Sequence, residues 1–312
     1  MHGTEGLSHD WYAPRRLVRL AVGTGGAGEG RAHLVLERLQ AGTRGAFDVQ
    51  ALAVSSTADP EEPESLIAAL LAGEADFAAC SAERVPVELP IGIRLEGAMR
   101  ASDPYYRLLA KPECTGLDSL PDGAHIAVCD AAARAQILFK HPSFDVELAR
   151  SEQALLSGMS RDLWDAAIVS ASSCDDPHLQ LRTIPATQIA APSGRGVIAL
   201  LMSDRSDPSE PWRRLLNEPD AEDCLLSERA FLARMASRGA GLPIARAIRF
   251  GGRLELTGLI ADPDGAWLLS AHASGPPSFG RVLGLEAAES CRELLSLQRL
   301  PSPGMRSGRS SA

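Results

Sequence analysis

A glycine-rich hexapeptide is the first stretch of this sequence whose residue types and spacing could do chemistry. Residues 23–28 read Gly-Thr-Gly-Gly-Ala-Gly and match G-x-G-x-x-G between a predicted strand and a predicted helix. In that setting, backbone N–H groups and a helix N-terminus can bind a pyrophosphate. Dinucleotide binding also needs an acidic residue at the end of the second strand, but residues 53–56 read Ala-Val-Ser-Ser. We therefore favour a tight turn into a helix that faces a cleft.

Nucleophilic and metal-binding residues are sparse. Six cysteines include no C-x-x-C pair, which argues against a zinc site or a thioredoxin-like centre. Only Lys111 and Lys140 are lysines among the 31 basic residues, which leaves little scope for lysine chemistry. We see no metal-ligand spacing and predict that the protein binds no metal. The cysteines are Cys80, Cys114, Cys129, Cys174, Cys224 and Cys291.

The elements that must position reactive residues follow two α/β patterns and then a different one. In the first pattern we predict strands over 17–22, 47–54 and 76–80 with helices over 31–39 and 63–71. In the second we predict strands over 125–129, 144–148 and 166–170 with helices over 131–139 and 151–158. Helices over 227–236 and 285–297 enclose strands over 245–250, 253–261 and 266–273 in the last section. The order β-α-β-α-β predicts largely parallel sheets.

Charge and hydropathy exclude two classes of partner. The net charge of −9 argues against nucleic acid, because binding phosphates requires a concentrated basic face. No run approaches eighteen apolar residues, and the first thirteen residues do not resemble a signal peptide. We therefore expect a cytoplasmic protein that does not enter a membrane.

Several segments in a fixed order resemble those of the hydroxymethylbilane synthase (porphobilinogen deaminase) family. Residues 76–90 resemble the family segment "DLAVHSLKDMPTELP" without a gap. Residues 164–169 resemble "YDAIVLA", and residues 191–196 resemble "APGQGA" with one insertion. Residues 228–232 and 242–244 bracket the segment that corresponds to the family's cofactor loop. The matches keep their order over roughly residues 17–297.

The resemblance implies an α/β fold in three domains. Two α/β domains similar to periplasmic binding proteins face each other across a cleft, and a small α+β domain follows. We assign domain 1 to residues 15–98 with 190–216, domain 2 to 99–189 and domain 3 to 217–300, with flexible tails at 1–14 and 301–312. In the family, a transferase of tetrapyrrole biosynthesis, domain 3 carries the cysteine that anchors a dipyrromethane cofactor. Members are usually monomers, and we expect a monomer here.

The residues that the family needs for its reaction are replaced. The cofactor cysteine of "GGCQVP" corresponds to Ala240, and no cysteine occurs between Cys224 and Cys291. The catalytic aspartate of "HSLKDMP" corresponds to Arg84, with Glu83 and Cys80 at the lysine and histidine. A fixed cation beside a developing cation destabilises the transition state. We therefore predict that dipyrromethane is absent and that no other cofactor replaces it.

Cations that hold the substrate's carboxylates in the family are also missing. Gly25 stands at the arginine that follows the first strand, and Ala132 and Ala133 stand at the paired arginines of "SSLRRQAQ". Ala149 and Leu155 stand at the arginines of "LRGNVDTRL". Since unpaired carboxylates are costly to desolvate, we expect a less anionic ligand.

Three interpretations remain open. In the first, the cleft acts on a different small molecule, with Glu83 and Asp130 as acid and base, Arg84 gripping a carboxylate and Cys80 as nucleophile. In the second, the protein is a non-catalytic pseudoenzyme that binds or senses a small molecule. In the third, a pathway transferase uses a different cofactor anchor. We prefer the first by a small margin, because charged replacements are less typical of decay. The predicted ligand-binding residues are Thr24, Gly25, Ser81, Cys129, Ser170 and Arg195.

Overall fold

The structure, a computed structural model, describes residues 16–24, 26–43, 47–54, 63–170, 176–206, 211–236 and 241–298. They form two compact units. The first contains the chain up to residue 101 together with Val197–Pro219, and the second contains Ser102–Gly196 and the chain from Asp220 onwards. None of the described helices is long and apolar enough to cross a membrane.

The first unit is built on a mixed five-stranded sheet. Its strands are β1 (Arg16–Gly23), β2 (Phe47–Val54), β3 (Phe77–Ser81), β4 (Ile93–Arg100) and β10 (Val197–Ser203), in the order β2-β1-β3-β10-β4. β1 is parallel to β2 and β3, whereas β10 is antiparallel to β3 and β4. Its helices are α1 (Gly26–Thr43), α2 (Pro63–Leu71) and α5 (Pro211–Leu216).

The core of the first unit explains why a distant segment returns to this sheet. The residues of β10 from Ile198 to Ser203 are all buried, so this strand needs cover on both faces. Trp212, in α5, stacks on Phe77 of β3 with ring centroids 4.1 Å apart. Burial of two such aromatic side chains contributes several kcal/mol and fixes the returning segment.

The second unit contains a five-stranded sheet of the same strand pattern. Its strands are β5 (Arg107–Ala110), β6 (His125–Val128), β7 (Asp145–Leu148), β8 (Ala166–Val169) and β9 (Gln180–Thr183), in the order β7-β6-β8-β5-β9. Here β6 is parallel to β7 and β8, and β5 is antiparallel to β8 and β9. Its helices are α3 (Ala131–Lys140) and α4 (Glu152–Met159).

A three-stranded antiparallel sheet completes the second unit. It consists of β11 (Leu242–Phe250), β12 (Arg253–Ala261) and β13 (Leu268–Gly275), with helices α6 (Pro219–Ala236) and α7 (Gly280–Leu297). Alternate residues of β12, including Leu254, Leu256 and Ile260, pack with Phe231 in one apolar core. Leu259 points the other way and packs with Ala190. A hydrophobic contact therefore joins the three-stranded sheet to the segment that follows β9.

The predicted class, two α/β sections followed by a small α+β section, is confirmed. The prediction of largely parallel sheets was incomplete, because each five-stranded sheet also contains antiparallel pairs. The strands β4, β5, β9 and β10 were not predicted, and two of them are only four residues long. The second α/β sheet and the three-stranded sheet fall in one compact unit, and the division into three domains stays a prediction.

Candidate functional site

Four predicted site residues of the first unit lie after parallel strands. Thr24 follows β1, Ser81 ends β3, and Glu83 and Arg84 occupy the turn after β3. Since β1 and β3 are parallel neighbours, their carboxyl ends lie at the same edge of the sheet, where α/β proteins bind ligands. Thr24 and Ser81 are half-buried, whereas Glu83 and Arg84 are exposed. The Arg84 N–H donates to the Ser81 carbonyl oxygen over 3.1 Å, which fixes the turn.

Cys80 lies inside the first sheet. Its side chain is only 1% exposed, and its Sγ lies 3.9 Å from the carbonyl oxygen of Ala199 on the neighbouring strand. A nucleophilic thiol must be reachable by its substrate and must ionise. The burial of Cys80 therefore counts against the predicted nucleophile role.

The glycine-rich turn makes one close approach that only glycine permits. A Cβ on Gly28 would lie 2.1 Å from the carbonyl oxygen of Gly23, which is backbone and cannot move aside. The first turn of α1 is therefore packed directly against the end of β1. This contact agrees with the tight-turn interpretation. Gly25, predicted to bind ligand, lies outside the described residues.

In the second unit, Asp130 caps a helix at the edge where β6 and β8 end. Its Oδ1 accepts hydrogen bonds from the N–H groups of Ala132 and Ala133, over 2.7 Å and 3.1 Å, at the N-terminus of α3. Its Oδ2 lies 3.8 Å from an Nη atom of Arg195. A carboxylate is favoured at this end of a helix by both the free N–H groups and the helix dipole. The carboxylate of Asp130 therefore occupies the position at the N-terminus of α3 where an anionic ligand could otherwise bind.

Arg195 is held in a nearly buried position. Its guanidinium carbon lies 4.2 Å from the centroid of the Tyr106 ring, in a cation–π arrangement. Only 11% of its side chain is exposed, against 23% of that of Asp130. Tyr106, whose ring stacks with Arg195, was not predicted as a site residue. In a sequence, an aromatic residue next to a strand is typical of the hydrophobic core.

Cys129 and Ser170 lie at the same edge of the second sheet. Cys129 follows β6 and Ser170 follows β8, its parallel neighbour, and both residues are exposed. Although the residue as a whole is exposed, desolvation of its thiol raises the pKa of Cys129 to about 11. The charge of Glu152 also raises this pKa, and the charge of Arg195 lowers it. The Ser170 N–H donates to Oε1 of Glu152 over 2.5 Å. Cys129 is therefore a protonated thiol at neutral pH.

Glu228 is a buried carboxylate that the sequence did not single out as functional. It is 1% exposed, and its two oxygens accept hydrogen bonds from the N–H groups of Gly194, over 2.7 Å, and Ala247, over 2.8 Å. Burial raises its pKa, whereas Arg246, 3.5 Å away, and the two hydrogen bonds oppose the shift. Since Gly194 precedes Arg195, Glu228 positions the turn that presents Arg195.

A second contact fixes the same turn. The Ser193 hydroxyl donates to the carbonyl oxygen of Ala245 over 2.9 Å and accepts from its N–H over 3.0 Å. Gly194 has a φ of 77°, a conformation that favours glycine. The turn before Arg195 is therefore tied to the edge of the three-stranded sheet on two sides.

Comparison with known proteins decides the family. Residues 63–209 match the family model described as porphobilinogen deaminase, dipyromethane cofactor binding domain. The chain is 32% identical to the porphobilinogen deaminase of Rubrobacter xylanophilus over 295 residues, which cover 87% of this chain and 94% of that relative. The chain belongs to the porphobilinogen deaminase family. A second porphobilinogen deaminase, from Chromobacterium violaceum, is 31% identical over 71% of this chain and 72% of its own length.

Among solved structures, the chain is similar to the periplasmic VFT2 domain of Bordetella pertussis BvgS. The similarity covers 66% of this chain and 88% of that domain, with 19% identity and a TM-score of 0.39.

In the second unit, the positions predicted to correspond to family arginines lie in α3, after β7 and in α4. Ala132 and Ala133 lie in the first turn of α3, and their N–H groups donate hydrogen bonds to the side chain of Asp130. Ala149 is half-buried against an apolar cluster of which Leu155, fully buried, is a member. Leu155 therefore offers no surface to a ligand, and the correspondence of positions 149 and 155 to family arginines stays a prediction. Ala240, at the family's cofactor cysteine, lies outside the described residues.

Proposed function

We propose that this member of the porphobilinogen deaminase family does not polymerise porphobilinogen and that it binds a different, less anionic small molecule. The observation that carries the proposal is the carboxylate of Asp130 at the N-terminus of α3. Porphobilinogen carries two carboxylates on its pyrrole ring, and the family resemblance places paired arginines at Ala132 and Ala133 to meet such groups. A substrate carboxylate arriving there would face Asp130, while Arg195 already lies next to that residue.

The two described cysteines of the predicted third domain do not suit a covalently anchored dipyrromethane. The thioether of the family requires an accessible cysteine in domain 3, but Cys224 and Cys291 are buried in helices, 7% and 0% exposed. The pKa of Cys291 is also raised, to about 11, chiefly by burial. Because the family position holds Ala240 instead, we infer that the cofactor is not attached as in the family.

Arg84 supports the same conclusion in the first unit. It stands at the family's catalytic aspartate, in the exposed turn after β3. The family reaction develops positive charge on the pyrrole as ammonia leaves, and a carboxylate stabilises that charge. A guanidinium at this position would raise the barrier, at about tenfold in rate for each 1.4 kcal/mol.

Between binding and catalysis, the described thiols favour binding. Cys80 is buried out of reach of a ligand, and Cys129 has a pKa of about 11, so neither residue is suited to act as a nucleophile at neutral pH. The catalytic alternative then depends on Glu83 and Asp130 as acid and base, and one oxygen of Asp130 is already committed to two N–H groups. We therefore propose a small-molecule-binding member of the family, and the rebuilt catalyst is the second candidate.

We also infer that the protein is a cytoplasmic monomer, as the family resemblance implies. The net charge of −9 supports a small molecule, and not nucleic acid, as its partner.

The test is the intact mass and the ultraviolet–visible spectrum of the purified protein after incubation with porphobilinogen. We expect a mass equal to that of the sequence, no pyrrole chromophore and no hydroxymethylbilane in the supernatant. The porphobilinogen deaminase of Rubrobacter xylanophilus is the positive control, and native mass spectrometry of the same sample reads the oligomeric state. A covalent dipyrrole adduct would overturn the proposal, and peptide mapping with a Cys129→Ser variant would then locate the anchor.

A further inference from the structure

A cavity of about 470 Å³ lies within the second unit, and its lining includes none of the predicted catalytic or ligand-binding residues. One wall is the face of the three-stranded sheet that α6 and α7 do not cover, and the opposite wall is α3 with the segment around residues 186–190. Cavities of this size bind small molecules in other proteins. Its floor is apolar, formed by Ala190 and Leu259, with Leu268 and Ile248 on the sheet wall.

The walls are held in place by hydrogen bonds, so the cavity is preformed. The buried amide of Gln136 donates to the carbonyl oxygen of Ala190 over 3.0 Å and accepts from its N–H over 2.8 Å. Arg134 joins α3 to the turn between β12 and β13, because its Nη1 donates to the Pro263 carbonyl oxygen over 2.9 Å. Binding of a ligand would therefore lose little conformational entropy in ordering the site.

Two cations line the cavity, and they differ in their partners. Arg246 lies 3.5 Å from the buried carboxyl group of Glu228. Lys140 donates from Nζ to the carbonyl oxygen of Thr187 over 2.6 Å, and no ion pair of Lys140 occurs within the described part of the chain. Desolvation lowers the pKa of Lys140, with the charge of Asp118 opposing the shift. An anionic group beside Lys140 would offset that desolvation.

The remaining polar groups limit the charge of the ligand. Glu255 stands on the sheet wall and would repel a second anionic group. Thr257 and His272 lie 3.0 Å apart, from Oγ1 to Nδ1, and offer hydrogen bonds to a neutral polar group. We propose that this cavity binds a small amphipathic monoanion, with an aliphatic or aromatic body on the apolar floor and one carboxylate or sulfonate beside Lys140.

The test uses anilinonaphthalene sulfonate, an aromatic monoanion that fluoresces when bound, and the uncharged N-phenylnaphthylamine. Lys140→Gln is expected to weaken binding of the sulfonate dye about fivefold, because an exposed ion pair contributes about that much to affinity. The affinity for the uncharged dye should not change. The matched control is Lys111→Gln, which removes the other lysine, at a site outside the cavity where it pairs with Asp162 at 2.8 Å. This control should bind both dyes as the wild type does.

Two further measurements locate the bound dye. Ser270→Trp, which fills the cavity from β13, is expected to weaken the binding of both dyes. In the unaltered protein, the sulfonate should protect Lys140 from acetylation while Lys111 reacts equally with and without dye, as read by peptide mass spectrometry. Equal acetylation of Lys140 in both conditions, or unchanged sulfonate affinity of the Lys140→Gln variant, would overturn the proposal. Asp130→Asn should leave dye binding intact, so failure here is separate from failure of the proposed function.

Discussion

At the scale of single residues, two carboxylates organise the second unit in different ways. Asp130 is partly exposed and supplies negative charge to the first turn of α3, where it also lies near Arg195. Glu228 is fully enclosed and uses both oxygens to fix backbone N–H groups of two separate segments. The first sets the charge of the candidate site, and the second positions the arginine beside it.

The capping role of Asp130 predicts a graded effect on stability. Asp130→Ala should lower the free energy of unfolding by about 1 kcal/mol. Asp130→Asn should lower it by less than half as much, because asparagine also caps helices. Urea unfolding followed by circular dichroism measures both. Ser151→Ala removes the cap of α4, where the hydroxyl accepts from the Ala154 N–H over 3.2 Å, and is the matched control without Arg195 nearby. Equal stability of Asp130→Ala and the wild type would contradict the cap.

At the scale of elements, α1 is joined to the end of β1 by a contact that leaves no room for a side chain. The helix can approach because position 28 is glycine, whereas Gly30, in the same helix, has no atom within 4 Å of its missing Cβ. The two glycines therefore have different roles although they lie two residues apart.

This difference predicts opposite effects of the same substitution. Gly28→Ala should destabilise the first unit by several kcal/mol, because its Cβ would meet backbone at 2.1 Å. Gly30→Ala should leave stability unchanged or raise it by up to about 1 kcal/mol, since alanine is the better helix former. Thermal unfolding of the two variants measures this, and similar melting temperatures would refute the close packing.

At the scale of the whole molecule, the replacements that we infer from the family resemblance fall in both compact units. Arg84 lies in the first unit, while Ala132, Ala133 and Asp130 lie in the second. Because the replacements that we infer are spread over several positions, restoring one of them leaves the others unfavourable for a charged substrate.

Restoring only the catalytic and anchoring residues is therefore expected to fail. The double variant Arg84→Asp with Ala240→Cys should form hydroxymethylbilane at least about a hundredfold more slowly than the Rubrobacter xylanophilus relative, because two charge-assisted contacts are each worth about 1.5–3 kcal/mol. A variant that adds Ala132→Arg and Ala133→Arg is the comparison and should be faster. Activity of the double variant close to that of the relative would refute the argument.

Local patterns in the sequence determined most of the secondary structure and the order of the sections. The predicted strand over 47–54 and helix over 63–71 agree with β2 and α2 to the residue, because each has apolar periodicity and clear boundaries. The family resemblance along residues 17–297 also required only the order of short segments. Such features depend on neighbours in the chain, which a sequence displays directly.

Only the tertiary structure decided which side chains meet. The family resemblance assigned residues 190–216 to the first domain, but no local pattern specifies how they pair. The strand Val197–Ser203 lies between β3 and β4, more than 90 residues away in sequence. Cys80 was predicted to be reactive, yet it is buried in the first unit. Asp130, Arg195 and Glu228, in contrast, are brought together from three separate segments. Burial and long-range contact depend on what the rest of the chain places around a residue, so the sequence around that residue does not determine them.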